Sequence, residues 1–332
     1  MKTIIDKLRL QPFASRLMEQ YFGNRPFAVF DIETTGLSPV YCKVILSGIL
    51  RFDGGQSPDQ AQVIQLFADR PDDERQLLAE TIRILDSVDY VITYNGRHFD
   101  IPFVEKRAKK HGLRFRPPYD LDLYQIVSGH SPLRQILPSL KQKSLEQYLG
   151  LSDGRDDEIS GAESVALYER YMASHAFQLE RQILLHNHDD VIQLYRLLPI
   201  IVKTDFHRAM FRQGFLAGDC SVAKIQLAGR DLCAEGFQLA DPKDFISFPT
   251  DARPYTLIMN RSSRTFELQI PGQAEAGALY LDALAVLGEE AVQKIEKYPS
   301  VVNGYLITQD HKVTNYMEIN AFLKVFFENL AW

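Results

Sequence analysis

The sequence is poor in cysteine, and its three cysteines are scattered: Cys42, Cys220 and Cys233 form no CxxC pair. An odd, dispersed set excludes a disulfide-stapled scaffold and argues against a structural zinc site. Long apolar runs are also missing, because no stretch approaches the roughly 20 residues that a membrane span needs. The first residues lack the apolar core and the small-residue cleavage site of a signal peptide. We therefore expect a reduced, cytoplasmic protein that binds no membrane.

The chain also lacks an excess of positive charge: 37 Lys and Arg stand against 43 Asp and Glu, a net charge of −6. This balance excludes proteins that coat nucleic acid through bulk electrostatics. It does not exclude a nuclease, because carboxylates gathered for metal ions make a domain acidic while a local basic strip contacts the substrate. With 332 residues, 45% of them hydrophobic, the chain can build one large domain or two ordinary ones.

Strand and helix patterns alternate along the first 200 residues. Apolar residues at roughly helical spacing predict a leading helix over 4–22. Three strands then follow as a meander, the last two joined by a loop that contains Gly54 and Gly55. The patterns predict strands at 26–37, 43–52, 61–69, 89–96 and 120–127. They predict helices at 73–85, in the later part of 99–113, and at 143–151, 163–173 and 176–202. This order predicts a mixed α/β sheet.

The pattern changes after about residue 205. Short strands joined by turns and a closing helix near 321–330 predict a smaller, β-rich α+β region, which also contains the only tryptophan, Trp332. We divide the chain into an N-terminal helical extension (1–24), an α/β domain (25–204) and a C-terminal domain (205–332). No motif in the last of these indicates a function.

Two carboxylates lie at the end of the first predicted strand. Side chains alternate along a strand, so Asp31 and Glu33 share one face while Ile32 points to the other. Two like charges beside a buried apolar run are costly to desolvate, and a hard divalent cation removes that cost. An isolated pair of this kind is also typical of a solvated turn. The longer string FDIETTGL is the more specific signal.

A third carboxylate, Asp100, follows an apolar strand and a loop that contains Asn95 and Gly96. The helix predicted after it offers N–H groups and a positive dipole, which help to hold an anionic ligand in place. Asp is equally a favoured N-cap residue, and Asn before Gly is equally a turn residue. Both interpretations stay open from the residues alone.

The run HNHDD at 186–190 lies within the last predicted helix. His186 and Asp190 are four residues apart and therefore neighbours on one helical face. Asp189 has Leu185 in the corresponding position, which offers no chemistry, so we assign the metal to Asp190. Taken alone, the run also suits a transition-metal patch or a solvated surface cluster.

In this order, FDIETTGL, YNGRHFD and a helix with the pattern x-N-x-x-D-V-x-x-L resemble the DEDD exonuclease superfamily, in particular its bacterial, polymerase-proofreading-like branch, over residues 25–200. The resemblance implies a ribonuclease-H-like fold, a mixed five-stranded sheet flanked by helices. It implies a 3′→5′ exonuclease for single-stranded or frayed DNA or RNA that uses two Mg²⁺ or Mn²⁺ ions. The implied metal ligands are Asp31, Glu33, Asp100 and Asp190. A structure-specific endonuclease or a scaffold without catalysis remains an alternative.

The resemblance breaks at His186. Three residues separate it from the last acid, which is the spacing of the family branch that has Tyr in this position. In the family, the residue in this position orients or deprotonates the attacking water, so the resemblance implies this role for His186. Histidine can fill this role, because its intrinsic pKa is about 6.5 against about 10 for tyrosine.

Substrate contacts are expected from three places. Thr34 follows the first carboxylate pair, and Asn95 precedes the third carboxylate. Lys106 and Arg107 open a basic run that extends to Arg116 and could contact phosphates. Such a run is more often a solvated helix face, so this role stays a hypothesis.

Overall fold

The computed structural model describes residues 1–11, 13–52, 61–151, 161–251 and 253–330. The chain divides into two compact units, one of residues 1–19 and 23–204 and the other of residues 20–22 and 205–332. The loop predicted at Gly54 and Gly55 and the tryptophan at position 332 lie outside the described residues.

A six-stranded mixed sheet forms the centre of the first unit. Its strands are β1 (Lys2–Leu8), β2 (Phe27–Thr34), β3 (Val44–Phe52), β4 (Ala61–Phe67), β5 (Tyr90–Thr93) and β6 (Tyr119–Asp122). Their order is β1-β4-β3-β2-β5-β6. The pairs β1–β4, β4–β3 and β3–β2 are antiparallel, whereas β2–β5 and β5–β6 are parallel. The predicted fold class is therefore confirmed, with six strands where five were expected.

The sixth strand comes from the segment predicted as a leading helix. Lys2–Leu8 pairs along the whole of β4, and a helix begins only at Arg16. The helical extension over 1–24 is therefore wrong. The adjacent β-branched residues Ile4 and Ile5 favour a strand. Pairing also satisfies the backbone groups along the outer edge of β4, which would otherwise be open.

Helices cover both faces of this sheet. Those that pack in the core clusters on the two faces are α2 (Glu74–Leu85), α3 (Asp100–Lys110), α7 (Gly161–Ser174) and α8 (Phe177–Arg196). The other described helices of this part of the chain are α1 (Arg16–Phe22, whose last residues belong to the second unit), α4 (Leu123–His130), α5 (Leu133–Ile136) and α6 (Gln142–Tyr148), with 3-10 turns at Pro71–Asp73 and Leu198–Lys203. The strand predicted over 120–127 is mostly α4, because the Asp122 carboxylate accepts the N–H of Gln125 and starts a helix there. None of the described helices is long and apolar enough to cross a membrane.

The two faces of the sheet explain where the carboxylates point. Phe30 and Ile32 of β2 pack in a core cluster that includes Leu77 of α2 and Val104 of α3. Residues of β3 and β4 contribute to a second cluster with α7 and α8. Because side chains alternate along β2, the odd-numbered residues of its second half face the α8 side.

The second unit is rich in antiparallel strands, as predicted. One sheet has the order β10-β11-β12-β9-β8-β7, and another has β13-β14-β16-β15 with β17 added to β16. The strands are β7 (Phe215–Ala217), β8 (Cys220–Ala228), β9 (Asp231–Gln238), β10 (Phe245–Ser247), β11 (Thr256–Asn260), β12 (Thr265–Ile270), β13 (Gln273–Glu275), β14 (Ala278–Asp282), β15 (Val301–Val302), β16 (Tyr305–Asp310) and β17 (Val313–Thr314). The helices are α9 (Phe206–Gln213), α10 (Ala283–Leu287), α11 (Glu289–Val292) and α12 (Tyr316–Glu328). The closing helix buries Phe322 and Phe327, and the Phe327 ring lies 4.6 Å from that of Phe266.

Candidate metal centre

The candidate centre lies where β2 meets α8. Glu33 is 7% exposed, and Asp31 is half-buried. On α8, one turn brings His186 and Asp190 to the same side, with the imidazole Nε2 3.5 Å from an Asp190 oxygen. The same Nε2 lies 3.5 Å from Glu33 Oε1. One ligand atom from each of these three residues fits within 4.8 Å of the others, close enough to hold one cation.

The two adjacent aspartates of α8 have different neighbours. Asp190 joins the group with Glu33 and His186, whereas the Asp189 carboxylate lies 3.6 Å from Nδ1 of His188. His188 in turn contacts Asp6 of β1. Asp189 is therefore placed beside His188, and Asp190 is the aspartate of this pair that lies with Glu33 and His186.

Asp100 is the first residue of α3 and is almost fully buried. Its Oδ1 accepts the backbone N–H of Ile32, at 3.1 Å, which ties the helix start to the middle of β2. The N-cap of α3 is Phe99, so Asp100 does not serve as the cap. Its carboxylate instead belongs to the charged group around Asp31 and Glu33.

The pKa values of two of these carboxylates, Asp31 and Asp100, are raised by burial and by neighbouring acids. Burial raises the pKa of Asp31 well above its usual value, and the charges of Asp100, Asp190 and Glu33 raise it further. Burial likewise raises the pKa of Asp100 to about 7, although the N–H of Ile32 opposes the shift. Ionised together, these carboxylates repel one another, and a divalent cation relieves the repulsion. Carboxylate oxygens are hard donors that suit a divalent cation, so the residues present fit a metal site.

Two supporting residues were not identified from the sequence. Asn187 is fully buried, and its Nδ2 donates to Asp31 Oδ2 at 2.9 Å. Asp122 is also fully buried and accepts the backbone N–H groups of Asn95 and Arg97, at 2.9 and 3.3 Å. A signal existed for each: an amide in the middle of a helical pattern, and a carboxylate at the end of an apolar strand.

The expected substrate contacts fall in different surroundings. Thr34 is buried, and its hydroxyl donates to the carbonyl of Gly36. Asn95 is partly exposed with φ of 67°, a left-handed conformation that Asn tolerates in tight turns. Lys106 is exposed on α3, where a phosphate could reach it.

Arg107 requires a correction. Its side chain is only 2% exposed, and its guanidinium makes two hydrogen bonds to the equally buried Glu74 carboxylate, at 2.7 and 2.5 Å. A third hydrogen bond reaches the carbonyl of Pro39. Arg107 is therefore not available to a substrate, and its role is structural.

A groove lies beside the centre, with a volume of about 490 Å³. It is lined by Tyr94, Asn95, Tyr124, Arg134, Leu137, Pro138, Ser139, Leu140 and Lys141. Next to Lys141, the Gln142 side chain donates to the backbone carbonyl of Asp190. Asn95, which lines the groove, donates its backbone N–H to Asp122, so the groove is linked both to the end of β6 and, next to Lys141, to α8.

Parts of this chain are similar in sequence to two DNA polymerases. A segment of 142 residues is 25% identical to the PolC-type DNA polymerase III of Ureaplasma parvum serovar 3, covering 37% of this chain and 10% of the polymerase. A segment of 65 residues is 32% identical to a DNA polymerase of Methanocaldococcus jannaschii, covering 20% of this chain and 4% of the polymerase. The chain therefore corresponds to only a small part of either relative.

Among solved structures, the family B DNA polymerase of Pyrobaculum calidifontis aligns with 92% of this chain and 46% of its own, at 15% identity and a TM-score of 0.42. The family model described as RNase_H superfamily matches residues 28–202, more than half of the chain and all of the candidate centre. The expected ribonuclease-H-like fold is thereby confirmed, and the chain belongs to the RNase_H superfamily.

Proposed function

We propose that the first unit is a divalent-metal-dependent nuclease that shortens single-stranded or frayed DNA or RNA from the 3′ end by a two-metal mechanism. The observation that carries this proposal is the meeting of Glu33, His186 and Asp190 within 4.8 Å, with two more carboxylates in the same charged group. Similarity to two DNA polymerases favours a nucleic-acid substrate. The 3′→5′ direction follows from the resemblance of the three motifs to DEDD exonucleases.

The residues divide into ligands and a proton acceptor. Asp31, Glu33, Asp100 and Asp190 would hold the cations through carboxylate oxygens, which suit Mg²⁺ or Mn²⁺. Such cations, when bound, neutralise charge on the scissile phosphate and lower the pKa of a coordinated water. The imidazole of His186 lies among these carboxylates and acts as the acceptor for the proton of the attacking water.

The groove supports an unpaired substrate end. Tyr94 and Tyr124 meet edge to face with ring centroids 5.7 Å apart, and Arg134 and Lys141 add positive charge to the same groove. Aromatic rings beside cations suit an unpaired base and its phosphate, because a base must leave the duplex before it can stack on protein. We therefore assign the last nucleotides of the strand to this groove.

The test uses single-stranded DNA and RNA oligonucleotides labelled at the 5′ or the 3′ end, with Mn²⁺ or Mg²⁺. The 5′ label yields a ladder that shortens one nucleotide at a time, while the 3′ label is released at once. Replacing a ligand, in Asp31→Asn or Asp190→Asn, lowers the rate by about 100-fold or more, in the range seen when one stabilising group is lost. His186→Ala also lowers the rate.

Asp189→Asn is the matched control, because it makes the same chemical change one residue away, on a side chain that faces His188. It keeps the wild-type rate. A fragment pattern without the ladder indicates an endonuclease. Binding without cleavage under both metals indicates a scaffold, and equal rates for Asp189→Asn and Asp190→Asn contradict the ligand assignment.

A further inference from the structure

Three residues in register across the sheet lie beneath α8. Asp31 of β2 is paired with Gly48 of β3, and Gly48 is paired with Gln65 of β4. The middle residue has no side chain, although the strand around it is buried and mostly apolar. A Cβ added at Gly48 would lie 2.7 Å from Cγ of Asn187, closer than real Cβ contacts allow. Gly48 therefore makes room for the Asn187 amide.

Asn187 occupies that space and bridges the two outer residues of the row. Its Oδ1 accepts a hydrogen bond from Gln65 Nε2 at 3.0 Å, and its Nδ2 donates to Asp31 Oδ2 at 2.9 Å. Both amide residues are buried, at 0% and 3% exposure.

The orientation of both amides follows from one further contact. Gln65 Nε2 also donates to the backbone carbonyl of Leu184, at 2.8 Å. A carbonyl only accepts, so the NH₂ group of Gln65 must face it and, with its second hydrogen, Asn187 Oδ1. The NH₂ group of Asn187 is then left to face Asp31. A single pattern of donors and acceptors satisfies the chain of hydrogen bonds from α8 to the carboxylate.

We propose that Asn187 and Gln65 are positioning residues that hold the Asp31 carboxylate in its metal-binding orientation, with Gly48 providing the space they need. The inference rests on the proposed function, because it assumes that Asp31 is a metal ligand. Hydrogen-bond partners of ligands commonly change metal affinity by about 10- to 100-fold, since an oriented ligand need not be reordered when the ion binds.

The decisive measurement is Mn²⁺ affinity of the full chain, by titration calorimetry without nucleic acid. Asn187→Ala weakens binding by about 10-fold or more, in the range for lost partners of metal ligands. Its cleavage rate recovers when Mn²⁺ is raised, which distinguishes weakened metal binding from a general loss of structure. Thr81→Ala is the matched control, because the buried hydroxyl of this α2 residue donates to the carbonyl of Leu77 in the same helix. It leaves Mn²⁺ affinity unchanged.

Gly48→Ala tests the same contact without removing any polar group, because its methyl group displaces the amide of Asn187. It weakens Mn²⁺ binding as much as Asn187→Ala does. The double variant, in which the smaller alanine side chain in place of Asn187 relieves the clash, is no weaker than either single variant, since all three lose one interaction. If Gly48→Ala fails to fold, the double variant still gives the comparison with Asn187→Ala.

Asp31→Ala separates the two proposals. If Asp31→Ala leaves Mn²⁺ affinity unchanged, the metal centre itself is refuted. If Asp31→Ala weakens binding but Asn187→Ala does not, only the positioning role fails. Additive losses in the double variant likewise overturn the inference, because they show that Gly48 and Asn187 act separately.

Discussion

Arg107 of α3 forms a buried ion pair with Glu74 of α2, and replacing it with alanine is expected to destabilise the first unit. Its guanidinium and the Glu74 carboxylate are each 2% exposed and are joined by two hydrogen bonds. Glu74 also accepts from the Val44 N–H at 2.9 Å and contacts His111 Nε2 at 2.8 Å. Arg107→Ala removes the main counter-charge and leaves a carboxylate buried.

Breaking a buried ion pair on one side costs about 3–5 kcal/mol of unfolding free energy, because the remaining charge is not compensated. For a unit of about 200 residues this lowers Tm by about 6–20 °C. Lys106→Ala is the control: it is exposed on the same helix and changes stability by less than about 0.5 kcal/mol. Calorimetry of both variants at pH 7 is the assay. An Arg107→Ala variant as stable as Lys106→Ala, but defective in oligonucleotide binding, would refute the structural role.

The pH dependence of stability provides a second, independent test of the Arg107–Glu74 ion pair. Burial by itself would raise the pKa of Glu74, but hydrogen bonds from Arg107, His111 and the Val44 N–H lower it below its usual value. A lowered pKa stabilises the fold above the unfolded-state pKa, and this contribution disappears as pH falls through the folded-state pKa. In Arg107→Ala the pKa of Glu74 rises, so the variant can neutralise the buried acid. Its stability deficit relative to wild type therefore shrinks between pH 7 and pH 5, and a constant deficit contradicts the assignment.

Two further predictions concern the strand and groove beside the centre. Burial raises the pKa of Asp120 to about 8, so the folded protein binds more protons than the unfolded chain and loses stability as pH rises from about 4 to 8. Asp120→Asn removes this loss, so its Tm advantage over wild type grows from pH 5 to pH 8 in a thermal-shift series; an advantage independent of pH contradicts the cause. Tyr124→Ala removes a ring of the groove and weakens oligonucleotide binding by about 1–3 kcal/mol, the usual range for one stacked base. Mn²⁺ affinity stays unchanged, and unaltered oligonucleotide binding, measured by fluorescence anisotropy, removes the groove from the substrate path.

Local periodicity accounts for the parts of the centre that the sequence predicts. The alternation of a strand puts Asp31 and Glu33 on one face, and the helical turn puts His186 beside Asp190. Each relation involves residues no more than four apart, so it does not depend on the rest of the fold. The contact between His186 and Glu33 needs the packing of α8 on β2, which periodicity alone does not supply.

The burial of Arg107 could have been predicted from the helical periodicity of α3, although a count of the basic residues in this segment did not indicate it. Phe103, Val104 and Ala108 form the buried face of α3, and Arg107 lies four, three and one positions from them. It therefore falls on the apolar stripe, whereas Lys106 falls off it. A buried position for an arginine requires an acidic partner, but identifying Glu74 required the tertiary structure.

Residues that interrupt an apolar strand likewise indicate a tertiary contact that the sequence alone does not identify. Gly48 interrupts the apolar run of β3, and Gln65 interrupts that of β4; each weakens its strand when considered alone. Such residues fit a stable sheet only where a tertiary partner compensates for them, and here the partner of both is Asn187. The strand register that aligns them with Asp31 follows from pairings across the whole sheet. The sequence therefore indicates that some residue packs against these strands at Gly48 and Gln65. It does not identify that residue as Asn187, because the identity depends on where α8 packs.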